Sequence, residues 1–132
     1  MLDSLKNNYL FICKIGEGSF SEVLKVKDRQ TGSLHAAKRL TKPFTSKEEV
    51  DNYEELQTFR KLEYHENIIY LQQYVYEPDT GILTLIFNLM DCSIYDFIKD
   101  RKRKLSETKV KNYIFQLIQA IAFLHKNGIF HR

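Results

Sequence analysis

The rhythm of apolar and polar positions changes twice along the chain. Residues 9–16, "YLFICKIG", form a mostly apolar run, and residues 21–28, "SEVLKVKD", set Val23, Lys25 and Lys27 against Leu24, Val26 and Asp28; both patterns predict β-strands. "DRQTGS" then supplies turn residues, and the short apolar "LHAAKRL" at 34–40 predicts a third strand returning from that turn, so the first three elements read as an antiparallel meander. From Ser46 the spacing lengthens. Val50, Tyr53, Leu56 and Phe59 recur at helical intervals within "SKEEVDNYEELQTFRKL", which predicts one helix, with Ser46 as its N-cap and Glu48 and Glu49 suited to a capping box and to the helix dipole. "IIYLQQYVYEPDTGILTLIFNLM" is rich in β-branched and aromatic residues on either side of a Pro-to-Gly turn and predicts a hairpin of two further strands.

The second half differs in kind. "SIYDFIKDR" predicts a short helix, and "LSETKVKNYIFQLIQAIAFLHKNG" a long one whose stripe holds Val110, Tyr113, Ile114, Leu117, Ile118, Ile121 and Leu124. Ser106 is placed to cap it, Leu105 and Val110 to staple its entry, and His125 and Lys126 precede Gly128, where it ends. Phe115 and Phe123 lie off the stripe, so this helix demands cover on more than one side. The elements together predict an α+β fold: residues 9–90 as a lobe of five antiparallel strands and one helix, and residues 91–132 as the incomplete start of a helical second lobe.

Composition narrows the class. Of 132 residues, 43% are hydrophobic and 28% charged, and eight Tyr and nine Phe are too many rings for a disordered linker. No stretch approaches the roughly 18 to 20 continuous apolar residues of a membrane span, and a net charge of +3 is too mild to call for a nucleic-acid partner. The N-terminus has neither the basic flank nor the apolar block of a secretory signal, so a cytoplasmic location is expected, with the nucleus as an alternative. Cys13 and Cys92 lie far apart without metal-ligand spacing and read as reduced structural residues; "RKRK" at 101–104 reads as a solvated loop beside a helix, with a nuclear-import or anion patch as the alternative.

"IGEGSFSEV" is a glycine-rich turn between two strands, where Gly16 and Gly18 let backbone approach a ligand and amides cover phosphates. It continues as a strand and not a helix, which excludes a dinucleotide-binding loop, and no Gly-Lys-Ser/Thr of a P-loop follows. "HAAK" places Lys38 on the next strand and "NYEELQ" places Glu55 on the helix after it. This collinear set resembles the protein kinases, whose motifs include G-x-G-x-x-G-x-V, V-A-I-K and a helix Glu that pairs the lysine. Gly16, Gly18, Phe20 and Val23 match the loop, Ala36 and Lys38 the strand, and "HENI" the H-P-N-I that follows the helix. "LMDCSIYDFI", "RKLSE" and "NGIFHR" narrow the resemblance to the MAK-like (RCK) subfamily of the CMGC group, and to its MOK branch.

The resemblance implies an ATP-dependent protein serine/threonine kinase with magnesium, acting on protein substrates. Lys38 would hold the α- and β-phosphates and Glu55 would fix that ammonium, with Glu54 the competing partner. Ile15, Val23 and Ala36 would close on adenine, Phe87 would stand as gatekeeper, and Asn88 to Met90 would form the hinge whose backbone pairs with the base. Ser21 departs from the third glycine, Asn88 from a Glu, and Ser93 from an Asp that holds the ribose in many relatives. His131 and Arg132 match the start of H-R-D-L-x-x-x-N, in which Asp is the base and Asn a magnesium ligand. The expectation is a kinase fragment whose metal ligands lie beyond Arg132 and which is inactive by itself. The alternative is a naturally short, noncatalytic isoform that serves as a binding or regulatory module.

Overall fold

The structure, a computed structural model, describes residues 5–131, so Arg132 of the His-Arg motif lies outside the described residues. A five-stranded antiparallel sheet is built from β1 (Tyr9–Glu17), β2 (Ser21–Asp28), β3 (Leu34–Leu40), β4 (Leu71–Glu77) and β5 (Ile82–Asn88), in the order β1-β2-β3-β5-β4. The β4–β5 hairpin thus inserts its second strand beside β3 and leaves β4 at the edge. The helices are α1 (Leu5–Asn8), α2 (Lys47–Asp51), α3 (Glu54–Lys61), α4 (Ile94–Lys99) and α5 (Glu107–Lys126). The described residues divide into two compact units: one holds residues 5–61 together with Tyr70–Leu89, the other Leu62–Ile69 and residues 90–131.

In the first unit the alternation of side chains across the pleat gives the sheet two apolar faces. Leu24, Val26, Ala37, Ile86 and Tyr9 form one cluster, against which Leu5 of α1 packs. Sequence patterning did not foresee that helix. Leu83, Leu85, Phe87 and Leu40 form the other cluster with Val50 of α2 and Leu56 of α3, whose side chains are fully buried.

The single helix expected from Ser46 onward is two. Ser46 does cap α2, its Oγ accepting from the Glu49 amide at 3.1 Å. The reciprocal half of the box moves one residue out, since Glu49 Oε2 accepts from the amide and hydroxyl of Thr45 at 2.7 and 2.9 Å. The break falls at Asn52 and Tyr53. Asn52 closes α2 with its amide on Glu48 O and Val50 O, and the carbonyl of Tyr53 accepts the first hydrogen bond of α3 from Gln57 N at 2.9 Å. Two side chains brace the break: Gln57 Nε2 donates to Asp51 O at 2.5 Å, and Arg60 meets Asp51 Oδ1 at 2.9 Å. The stripe Val50, Leu56, Phe59 survives because a short turn costs little phase, which is why periodicity alone could not reveal it.

In the second unit Ser93 caps α4 through the Asp96 amide, and Ser106 caps α5. The end of α5 is a Schellman motif: Gly128 N donates to His125 O, Ile129 N to Leu124 O, and Gly128 takes φ +73°, a conformation in which a Cβ would be strained. His65 stacks on Phe123 at 4.8 Å, Asn67 donates to Gln119 Oε1 at 3.3 Å, and Tyr113 meets Phe97 edge-on. These contacts leave the named stripe open to solvent, with Val110, Ile114, Leu117 and Ile118 all between 43% and 59% exposed. Residues 101–104 are exposed, and both cysteines are exposed free thiols, so neither plays the packing role expected of it.

Candidate nucleotide site

Strand register decides which side chains share a face. In an antiparallel ladder directly opposed residues project to the same side. Gly16 pairs with Val23, Val23 with Lys38, Lys38 with Leu85, and Ala36 with Phe87. Gly16, Val23, Ala36, Lys38 and Phe87 are therefore brought to one face, the face that also carries Leu85 and the helix-covered core. Helices α2 and α3 cover the end of it nearest Leu83 and Leu85; Val23 and Ala36 remain half-buried and Ile15 is 48% exposed. Ile15 sits in the irregularity between Lys14 and Gly16, where β1 shifts register against β2. Asn88 closes β5 in the first unit, and Met90 belongs to the second.

The turn between β1 and β2 is closed by Gly18 N donating to Ser21 O at 2.7 Å, with Phe20 at its tip 80% exposed. Neither Gly16 nor Gly18 has a positive φ, and a Cβ on either would meet nothing nearer than 3.6 Å. The fold itself thus does not require glycine at these two positions. Bare backbone there leaves space above the strand for something outside the chain to approach.

Lys38 Nζ donates to both carboxylate oxygens of Glu55, at 2.7 and 2.9 Å. Both side chains are about 30% accessible, at 30% and 29%, so the pair is neither buried glue nor a loose surface contact. At that exposure an ion pair adds only about 0 to 1 kcal/mol to stability. Glu54 is exposed; among the described residues, Lys38 has its carboxylate partner in Glu55. One turn further on, Phe59 packs its ring against Phe87 at 5.3 Å, joining the helix that carries Glu55 to the strand that carries Phe87.

Two features were not legible in the sequence. The Tyr53 hydroxyl donates to Glu55 Oε2 at 2.9 Å, and the Asn88 side chain accepts a hydrogen bond from Gln72 Nε2. The first depends on the helix break and the second on the β4–β5 pairing. Burial, and after it the Glu55 carboxylate, push the Tyr53 phenol up to about 12, so it remains a donor at neutral pH. Ser93, which departs from the Asp expected at this position by the resemblance, spends its hydroxyl on Asp96, accepting from the amide and donating to Oδ2 at 2.7 Å. Among the described residues no cluster of three or more His, Cys, Asp or Glu stands ready for a metal ion, and no helix is long and apolar enough to cross a membrane.

Comparison with known proteins agrees with this geometry. Residues 9–132 match the protein kinase domain family. The chain is 44% identical over 125 residues to the human MAPK/MAK/MRK overlapping kinase, 36% identical over 126 residues to the human serine/threonine-protein kinase MAK, and 34% identical over 126 residues to the cyclin-dependent kinase F-4 of Oryza sativa subsp. japonica. These alignments cover 95%, 96% and 96% of this chain but 30%, 20% and 27% of the respective relatives. The chain thus spans less than a third of their length.

Proposed function

Because the chain belongs to the protein kinase domain family, we propose that it forms the nucleotide-holding part of an ATP-dependent protein serine/threonine kinase of the MAK and MOK kind. The observation that carries this reading is the Lys38–Glu55 pair, formed on the same sheet face as Val23, Ala36 and Phe87. A point cation held in place by a carboxylate is suited to phosphate oxygens, and its small contribution to stability leaves a functional reason for the pairing.

In this reading the adenine lies against Ile15, Val23 and Ala36, with Phe87 limiting the depth of the space and the backbone of Asn88 pairing with the base. Gly16 and Gly18 offer amides to the phosphates, and Lys38 neutralises them while Glu55 keeps the ammonium from swinging to solvent. Magnesium, when bound with ATP, neutralises charge on the transferring phosphoryl; among the described residues no group of three or more His, Cys, Asp or Glu stands ready to hold it, and no step of the account passes through it. This polypeptide by itself is proposed to bind nucleotide; phosphoryl transfer is proposed for the whole kinase, since the chain spans less than a third of the relatives it matches. The remaining elements of such a kinase would supply protein-substrate recognition.

The test is titration of the 132-residue chain with a fluorescent ATP analogue. Lys38→Met should weaken binding at least about tenfold, a loss of about 1.4 kcal/mol, Glu55→Gln should weaken it less, and Glu54→Gln should leave it unchanged. Equal affinity for Lys38→Met and the unaltered chain would remove the phosphate role from Lys38.

A further inference from the structure

We infer that Tyr53 is a positioning residue for the Lys38–Glu55 pair, and that the break between α2 and α3 exists in this chain to let its hydroxyl reach the Glu55 carboxylate. The inference rests on the nucleotide reading above and goes one residue deeper into the same site. Residues two apart in a continuous α-helix project about 200° from one another and do not meet. Tyr53 and Glu55 are two apart, yet the phenol donates to Oε2 at 2.9 Å. The contact is possible because Tyr53 stands outside both helices, with α2 ending at Asp51 and α3 beginning at Glu54.

Everything around the break holds this arrangement. The Tyr53 amide donates back to Val50 O at 3.1 Å, its carbonyl opens α3, and Gln57 and Arg60 both return to Asp51. The ring is fixed by an edge-on contact with Phe44 at 5.4 Å. From this platform the hydroxyl occupies a lone pair of Oε2 that the ammonium leaves free. The carboxylate is then held by three hydrogen bonds from two directions, two from Lys38 and one from Tyr53. A carboxylate with one partner can rotate about its last torsion; one pinned from both sides presents the ammonium in a single place, which is the pre-organisation a phosphate contact requires.

The experiment compares nucleotide affinity and tyrosine NMR in the 132-residue chain. Tyr53→Phe keeps the ring against Phe44 and removes only the hydroxyl. Its affinity for the fluorescent ATP analogue should fall about three- to tenfold, the scale of a hydrogen bond to a charged group moderated by partial exposure. In a Glu55→Gln background the same substitution should cause no comparable further loss, because the hydroxyl acts through that carboxylate. With 13Cζ-labelled tyrosine, the Tyr53 resonance should move further on Glu55→Gln, which removes its hydrogen-bond acceptor, than on Glu54→Gln. A Tyr53→Phe chain binding as tightly as the unaltered one while Lys38→Met fails would overturn the inference and leave the nucleotide reading standing. An equal loss in both backgrounds would also overturn it, showing that the hydroxyl acts by a route other than the Glu55 carboxylate. Unchanged binding in Lys38→Met would instead remove the reading on which the inference depends.

Discussion

Gly81→Ala should be among the most damaging single-methyl additions in the first unit, and its cost can be worked from the coordinates. Gly81 ends the β4–β5 turn with φ +71°, where an L side chain costs roughly 1–2 kcal/mol. Its Cβ would stand 2.5 Å from Phe44 O, 3.0 Å from Pro43 Cβ and 3.2 Å from Phe44 N. Two of those are backbone atoms of another segment and the third belongs to a rigid proline ring, so no flexible side chain can swing aside. Relief must come from separating the two segments, which stretches the 2.7 Å hydrogen bond from Phe44 N to Gly81 O and forfeits about 1–3 kcal/mol if the groups remain buried and unpaired. The total is about 2–5 kcal/mol, a large part of the roughly 5–15 kcal/mol that holds a domain together.

Gly32 is the control: its φ is +74°, but a Cβ there meets nothing nearer than Lys27 Cε at 3.6 Å. Gly32→Ala should therefore cost only the backbone share, about 1–2 kcal/mol. Asparagine tolerates the left-handed region, so Gly32→Asn should be milder still while Gly81→Asn remains as harmful as alanine. Urea unfolding at low protein concentration, followed by circular dichroism, measures both. With a slope of roughly 1.5 kcal/mol/M the Gly81 midpoint should drop by about 1–3 M. Gly81→Ala and Gly32→Ala midpoints that coincide would refute the argument, because they share the φ and differ only in what the methyl strikes.

Other consequences are open to measurement. Tyr53 has a folded pKa near 12 against about 10 in the unfolded chain, so between these values the folded state holds the proton that the unfolded state has lost. Its contribution to stability should be intact below pH 10 and fall as pH rises to about 12, and unfolding scans in that window should show Tyr53→Phe declining less steeply than the unaltered chain. Replacing Ile114, Leu117 and Ile118 with Lys, Gln and Lys should reduce self-association and dye binding of the 132-residue chain with little change in its melting, because each of those side chains is at least 50% exposed; a large loss of stability by calorimetry would show that the stripe is covered. Gly128→Ala should loosen the end of α5 by about 1–2 kcal/mol through its φ of +73° alone, with no steric part, as read by amide exchange at Ile129.

Much of this protein was legible in the sequence because the signals were local. The bounds of β2 and β3, the Ser46 and Ser106 caps and the glycine stop of α5 follow from side-chain alternation and from short-range hydrogen bonds, which involve residues a few positions apart. The likeness of the Gly16, Lys38 and Glu55 constellation to protein kinases was legible for a similar reason, since each motif is a short word in fixed order. Tertiary structure decided what depends on distant pairing. The placement of β5 between β3 and β4 sets Ala36 opposite Phe87 and Lys38 opposite Leu85, and no periodicity encodes that neighbour. The choice of Glu55 over Glu54 is a matter of which face of α3 meets β3 across seventeen residues of chain. The break at Asn52 and Tyr53 was invisible because the apolar spacing runs through it unchanged, and with it went the bond from Tyr53 to Glu55, which a helix periodicity forbids and only the interrupted backbone permits.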